Sequence, residues 1–344
     1  MKTFSRDYRM NHINSPIFGE YYDGLKSCVL DIEATGLDPN RCKVVLVGLL
    51  TETDSGVRVT QFLAENHYEE HKVLLAMKDF LEDEGIDYII TFNGLRYDVP
   101  FINTRLATNF LEGSMNLYDF DLYRFLRKCS NLPSKLDSLS QASCEKFFGI
   151  AGNRQDTITG RESVTLFDQY ALNGNSTIEK IILTHNREDV LQLYQLMQRA
   201  SREEYQYILD TDFHYAIAKY GFPVVSQDYA SGKSRIKYAA RASISDSKKQ
   251  LKICGDQLIS PIAAAYFPDI DNIVTATFNK TSSSFEILVP ISSHQDYYYV
   301  DIKKLGLGED AINSLASDPD LVNNYLVLNS RTINVLAKIL LNKY

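Results

Sequence analysis

The stretch Val29-Leu30-Asp31-Ile32-Glu33-Ala34-Thr35-Gly36-Leu37 constrains this chain more than any other. Its apolar run is short, carries two acids two positions apart, and ends in a small-residue turn. In a β-strand, residues i and i+2 project from the same face, so Asp31 and Glu33 point side by side. Two carboxylates that close repel one another and share protons unless a cation sits between them. Hard oxygen ligands of this kind suit Mg²⁺ or Mn²⁺. A lone pair of acids on a surface strand needs no such explanation, so the weight of the motif depends on whether other ligands follow it.

Further along, Lys43–Thr51 (KVVLVGLLT) and Val57–Leu63 read as strands joined by the Thr53-Asp54-Ser55-Gly56 turn, a hairpin. Tyr68–Glu82 repeats Val73, Leu74, Met77, Phe80 and Leu81 at helical spacing. Asp87–Phe92 is a fourth strand, Asn93-Gly94 a turn, and Asp98–Leu106 a helix with Pro100 in its first turn. Asn116–Asp121 reads as another strand ending in acids, and Leu122–Phe148 as helix interrupted near Pro133. Between Gly149 and Asn175 the pattern predicts a loop with a short helical piece. Ser176–Ala200 is the clearest helix, with Ile178, Ile181, Ile182, Val190, Leu193, Leu196 and Met197 on one apolar face. This order predicts an α/β fold, a mixed sheet covered by helices.

The length of 344 residues allows two domains. Residues 1–26 read as an N-terminal arm or extra edge element, 27–205 as the first domain, and 206–344 as a smaller α+β domain of alternating polar runs. Thr275–Phe278 and Phe285–Pro290 form a hairpin there, and Thr332–Leu341 a closing helix. Five scattered cysteines without a CxxC pair speak against a disulfide framework or zinc site and for a reducing cytoplasm. The polar, tyrosine-rich start has no apolar core of a secretory signal, and no run approaches a membrane span. A net charge of −8 disfavours a nucleic-acid partner on average, but the distribution of charge is more informative.

Three features extend the Asp31-x-Glu33 pair. Asp98 stands just past a buried strand and a tight Asn-Gly turn, where α/β sheets face their ligand crevice. His185 and Asp189 are four apart on the long helix and share a face, which also carries the apolar residues Ile182 and Leu193. Charged groups set in such a stripe need partners. A strand DxE, a post-strand NGxxYD and a helical HxxxD, in that order, resemble the DEDD superfamily of 3′–5′ exonucleases with a ribonuclease H-like fold, and within it the YprB-type group. The residues that carry the resemblance are 30–37 (LDIEATGL), 92–102 (FNGLRYDVPFI), Asp121-Leu122, Arg154-x-Asp156-x-x-x-Gly160 and 184–193 (THNREDVLQL). It covers roughly residues 27–200 and implies a mixed five-stranded sheet flanked by helices.

The resemblance also implies a chemistry. Phosphodiester hydrolysis needs a nucleophile at neutral pH and neutralised charge at phosphorus, and two divalent ions about 4 Å apart supply both. Asp31 would bridge the two ions, Glu33 and Asp189 would complete one, and Asp98 would hold the second. Thr35 and Asn93 would position the terminal nucleotide. His185 would orient or deprotonate water. The family's histidine type places its base five residues before the last Asp, whereas His185 stands four before Asp189, the tyrosine-type spacing, so a phosphate or structural contact stays open for it.

Other candidates are weaker. His67 and His71 have a zinc-compatible spacing on the predicted helix but no completing ligand. Asp119 and Asp121 read as structural supports, and Arg124, Arg127, Lys128 and Lys135 as either a phosphate grip or a solvated helix face. Between Lys219 and Lys252 eight basic residues face two acids, with Tyr220, Phe222, Tyr229 and Tyr238 interleaved. That composition suits single-stranded nucleic acid, with Arg235, Lys237 and Arg241 as contacts. The expectation is a metal-dependent nuclease for single-stranded DNA or RNA, acting 3′–5′ with two Mg²⁺ or Mn²⁺ ions. The rivals are an endonuclease with the same site and a non-catalytic nucleic-acid-binding protein.

Overall fold

The computed structural model describes residues 1–15, 19, 21–22, 24–150, 158, 160–211, 213–225, 236–258, 265–268, 274–295 and 297–343. The chain divides into two compact units, the first over Met1–Asp210 and the second from Thr211 onward. The Arg154 and Asp156 positions of the motif lie outside the described residues.

The first unit is built on a sheet ordered β1-β4-β3-β2-β5-β6, formed by Lys2–Tyr8, Gly56–Leu63, Val44–Thr53, Ser27–Ala34, Tyr88–Thr91 and Tyr118–Asp121 respectively. The sheet therefore has six strands, not five, because β1 pairs antiparallel with β4 along its whole length. Its sequence KTFSRDY is too polar to announce a strand, as expected of an edge whose outer face meets water. Strands β4, β3 and β2 are antiparallel, while β2, β5 and β6 run parallel. The carboxyl ends of the three parallel strands thus share one edge, the place where α/β sheets bind ligands.

Helix α1 (Glu70–Asp83) packs on β3 and β4, and α2 (Asp98–Thr108) follows β5. The long α7 (Ser176–Ala200) lies across β2, β3 and β4, capped by Asn175, whose side chain accepts from Thr177 and Ile178. Three short helices, α3 (Leu122–Cys129), α4 (Leu132–Lys135) and α5 (Gln141–Phe147), replace the single interrupted helix. The segment expected as a loop contains α6, a full helix over Gly160–Asn173 that packs on α7 and β2. Its sequence is largely polar, and it folds as helix because Phe167 and Tyr170 enter the core. His67 precedes α1, so His67 and His71 share no helix, and His67 instead faces Asp168 at 3.2 Å.

One buried ion pair ties these layers together. Arg105 on α2 donates Nε and Nη2 to Glu70 on α1 at 2.8 and 2.7 Å. Glu70 also accepts from Val44 N–H and Asn109 Nδ2. Burial raises the Glu70 pKa, but Arg105 and the two further donors outweigh it and leave the group below its ordinary value. A depressed carboxylate contributes stability above the unfolded pKa, and that contribution is lost as pH falls through the folded one. Arg105→Met strands the carboxylate in the core and is expected to cost about 3–5 kcal/mol at neutral pH. Denaturant midpoints measure this, and a loss under about 1 kcal/mol would show the pair to be dispensable.

The second unit has a six-stranded antiparallel sheet in which, from edge to edge, β10 (Ala265–Pro268), β11 (Thr275–Asn279), β12 (Ser284–Pro290), β9 (Gln250–Gln257), β8 (Ile236–Ser245) and β7 (Phe222–Val225) lie side by side. A four-stranded one orders β13 (Ser292–His294), β14 (Tyr297–Asp301), β16 (Tyr325–Val327) and β15 (Leu321–Val322). The helices here are α8 (Phe213–Tyr220), α9 (Glu309–Ala316) and α10 (Ser330–Asn342), of which α8 and α10 pack on β8. Strand β8 alternates strictly: Ile236, Tyr238 and Ala240 are buried, while Lys237, Ala239 and Arg241 are half-buried on the other face.

Candidate active site

Strand β2 places Asp31 and Glu33 on one face, and a bulge in its pairing with β3 falls between Glu33 and Ala34. Bulges re-aim side chains at strand ends. Asp98 opens α2, and its carboxylate accepts the backbone N–H of Ile32 on β2. From α7, His185 Nε2 stands 3.6 Å from Glu33 Oε1 and 3.5 Å from Asp189 Oδ2. Three elements distant in sequence thus deliver five chemistry-bearing side chains to one place. Four of them, Asp31, Glu33, His185 and Asp189, border a cleft of about 820 Å³ together with Leu37 and Tyr97.

The electrostatics of the cleft follow from crowding. Desolvation, followed by Asp189, Asp98 and Glu33, raises Asp31 well above the usual carboxylate range. Desolvation pushes Glu33 up to about 7 against the opposing pull of His185. Asp98 is likewise pushed up to about 7 by burial and the Asp121 charge. Such a set is costly when empty of countercharge. Ligand atoms of Glu33, His185 and Asp189 lie within 4.8 Å of one another, the one such group among the described residues. Acidic oxygens converging at this spacing beside an imidazole fit a hard divalent cation.

Sequence reasoning missed the groups that hold Asp31. Asn186, fully buried, donates Nδ2 to Asp31 Oδ2 at 2.9 Å. Gln61 on β4 donates Nε2 to Asn186 Oδ1 at 2.7 Å and to the Leu183 carbonyl at 3.0 Å. Gly48 on β3 pairs with Asp31, and a Cβ there would overlap the Asn186 carboxamide. The signal was present: a glycine inside an apolar strand marks close approach of another group. Asn186→Ala is expected to lower hydrolysis about 10–100-fold, as loss of a ligand's orienting partner does, with the melting midpoint little changed by comparison. An unaltered rate would remove Asn186 from the account. Ser163 on α6 also hydrogen-bonds Glu33, from the segment expected to be a loop.

Asp121 acts as a scaffold. Its carboxylate accepts N–H groups from Asn93, Leu95 and Arg124, so it caps α3 and fixes the turn that delivers Asp98. Asp119 accepts from Thr91 Oγ1 at 2.8 Å. Thr35 closes the loop after β2 by accepting Lys43 N–H, and Asn93 adopts a left-handed turn conformation. Lys237 and Arg241 belong to the second unit, and Arg235 lies outside the described residues. The interleaved aromatics expected to stack bases do not serve that purpose at Phe222 and Tyr238, which are both fully buried.

A model of the RNase H superfamily, the RNase_H_2 family, matches residues 28–201. The chain belongs to the RNase H superfamily. The match spans β2 through α7 and takes in every acid of the cleft. Among solved structures, this RNase H-like chain is similar to the family B DNA polymerase from the hyperthermophilic archaeon Pyrobaculum calidifontis. The TM-score is 0.39 and the identity 17%, over 57% of this chain and 28% of the polymerase. The chain therefore corresponds to under a third of that polymerase's length. No curated protein matches the sequence. No described helix is long and apolar enough to cross a membrane.

Proposed function

We propose that this RNase H superfamily member is a metal-dependent nuclease of the DEDD type, hydrolysing single-stranded DNA or RNA from the 3′ end. The observation that carries the reading is the convergence of Asp31, Glu33, His185 and Asp189 from β2 and α7 on one cleft, with the Asp98 carboxylate of α2 held on the Ile32 backbone between two of them in sequence. Asp31, Glu33, Asp98 and Asp189 would hold Mg²⁺ or Mn²⁺, two ions in all. Bound there, the cations neutralise charge at the scissile phosphate and lower the pKa of water. His185 receives a proton at Nε2, the atom facing Glu33 and Asp189. Asn186 keeps Asp31 in place, and Leu37, 82% exposed beside the cleft, offers apolar surface to a terminal base. Thr35 and Asn93 flank the same strand ends and contribute to positioning the nucleotide. The five free cysteines suit a reducing cytoplasm.

Single strands of DNA and RNA labelled at either end, incubated with and without Mn²⁺, test the reading. Metal-dependent laddering from the 3′ end is the expected result. Cutting of circular strands would overturn the exonuclease mode, and metal-independent binding without cleavage would overturn the enzyme. His185→Ala is expected to slow turnover about 10²–10⁴-fold; a near-wild-type rate excludes it as the base.

A further inference from the structure

The edge strand β1 leaves a small pocket against α7, distinct in its lining from the carboxylate cleft. It measures about 180 Å³ and is bordered by Arg6 and Tyr8 from the strand and Arg187, Glu188, Gln192 and Gln195 from the helix. Its polar groups are under-used. Tyr8 Oη and Gln192 Oε1 are buried without a hydrogen-bond partner, and Gln192 is only 1% exposed. Arg187 reaches Thr184 Oγ1 at 3.4 Å and Glu188 Oε1 at 3.6 Å, long contacts for a guanidinium with five N–H donors. Arg6 lies over the Tyr8 ring, 5.3 Å from its centroid. Buried polar groups in folded proteins are paired, so two unpaired ones beside two arginines at one opening mark a place built for something else.

We propose that this pocket binds a phosphate group. Two guanidinium groups present planar forks that match phosphate oxygens, and the Tyr8 hydroxyl adds a donor. The Gln192 carboxamide offers its oxygen to a P–OH or sugar hydroxyl, or its NH₂ to a phosphate oxygen once rotated half a turn. Glu188, paired with Arg187, leaves the pocket with one net positive charge. Water would satisfy Tyr8 and Gln192, but it gives no reason for a second arginine at the same opening.

The source of the phosphate that the surface favours is a single-stranded nucleic acid. The next cleft along α7, about 890 Å³, is bordered by Asn11, His12, Gln198 and Arg202, one to two turns beyond Gln195. Polar and cationic groups lining two successive clefts along α7 and just past its end suit a repeating backbone rather than a lone ion. This naming of the strand rests on the nuclease reading; phosphate binding itself does not.

The test uses the full chain in EDTA, which keeps cations out of the carboxylate cleft. Inorganic phosphate is titrated by ³¹P NMR, and a single-stranded oligonucleotide by fluorescence anisotropy across salt. Wild-type protein is expected to bind one phosphate saturably, tenfold or more tightly than Arg187→Gln or Arg6→Gln. Arg6 is exposed on the edge strand, so its variant keeps the fold even if loss of the Glu188 partner disturbs the other. The slope of log affinity against log salt for the strand should fall by about 0.7 per arginine removed, while hydrolysis of a dinucleotide, measured separately with Mn²⁺ in place of EDTA, stays unchanged. Equal phosphate binding by wild type and both variants overturns the site. Phosphate binding lost in the variants with an unchanged salt slope overturns the strand and makes the pocket a site for free phosphate or a mononucleotide. A failure of cleavage itself, with phosphate binding intact, counts against the catalytic reading and not against this one.

Discussion

Asp31→Asn is expected to reduce strand hydrolysis by about 10³-fold or more while leaving the metal-free protein at least as stable as wild type. The two effects have one cause. Asp31 sits where desolvation and three neighbouring acids raise its pKa well above the ordinary range, so its charge at neutral pH is held against a free-energy cost. A carboxylate raised in this way destabilises the fold as pH climbs from its unfolded pKa through its folded one. Replacing it with a neutral amide of the same shape removes the repulsion and retains an oxygen for Asn186 Nδ2. The same charge is what a divalent cation needs. Gains in stability at the expense of function are the usual sign of a strained site. A variant that is both less active and clearly less stable would mean that Asp31 is a packing residue, contrary to this account.

The second large effect is stabilisation by metal. Glu33 and Asp98 are both pushed up to about 7, far above the ordinary carboxylate range of about 4. In EDTA the stability of the first unit should therefore fall as pH rises from about 4 to about 7, because the folded state binds protons that the unfolded state has released. Mg²⁺ or Mn²⁺ replaces those protons, so its benefit should grow over the same interval and level off above it. At a concentration one hundred times the dissociation constant, a bound ion adds about 2.7 kcal/mol, or about 5–10 °C in the midpoint of a domain this size. Calorimetry at pH 5 and pH 8, with and without cation, measures both limbs. A metal effect of equal size at the two pH values would detach the cation from these carboxylates.

Much of the site could be read before the fold was in view, and the reason is physical. Asp31, Glu33, Asp98 and Asp189 are acids placed where apolar periodicity demands burial, and such contradictions are visible in a linear string. The mixed sheet was legible for the same reason, through the apolar runs of β2, β3 and β5. Strand β1 was not, because an edge strand need not be apolar; its pairing with β4 is decided by backbone hydrogen bonds that leave no mark on composition. Helix α6 was hidden because its two core anchors, Phe167 and Tyr170, stand among polar residues and act only through contact with α7 and β2. The Gln61–Asn186–Asp31 chain needed three elements to be superposed in space. Gly48 alone hinted at it, and the hint acquires meaning only once Asn186 is seen lying over it. In the second unit composition misled: the aromatics between Lys219 and Lys252 include Phe222 and Tyr238, which alternate into the core and present no open ring face for a base to stack on.

The central claim is that β2, α2 and α7 together build a carboxylate centre for divalent cations. Titration of Mn²⁺ into the full chain at pH 7.5, followed by electron paramagnetic resonance of the free ion, addresses it most directly. The account predicts two ions bound per wild-type chain and the loss of at least one in both Asp31→Asn and Asp189→Asn. Binding that is absent from the wild type, or that persists unchanged in both variants, would contradict it.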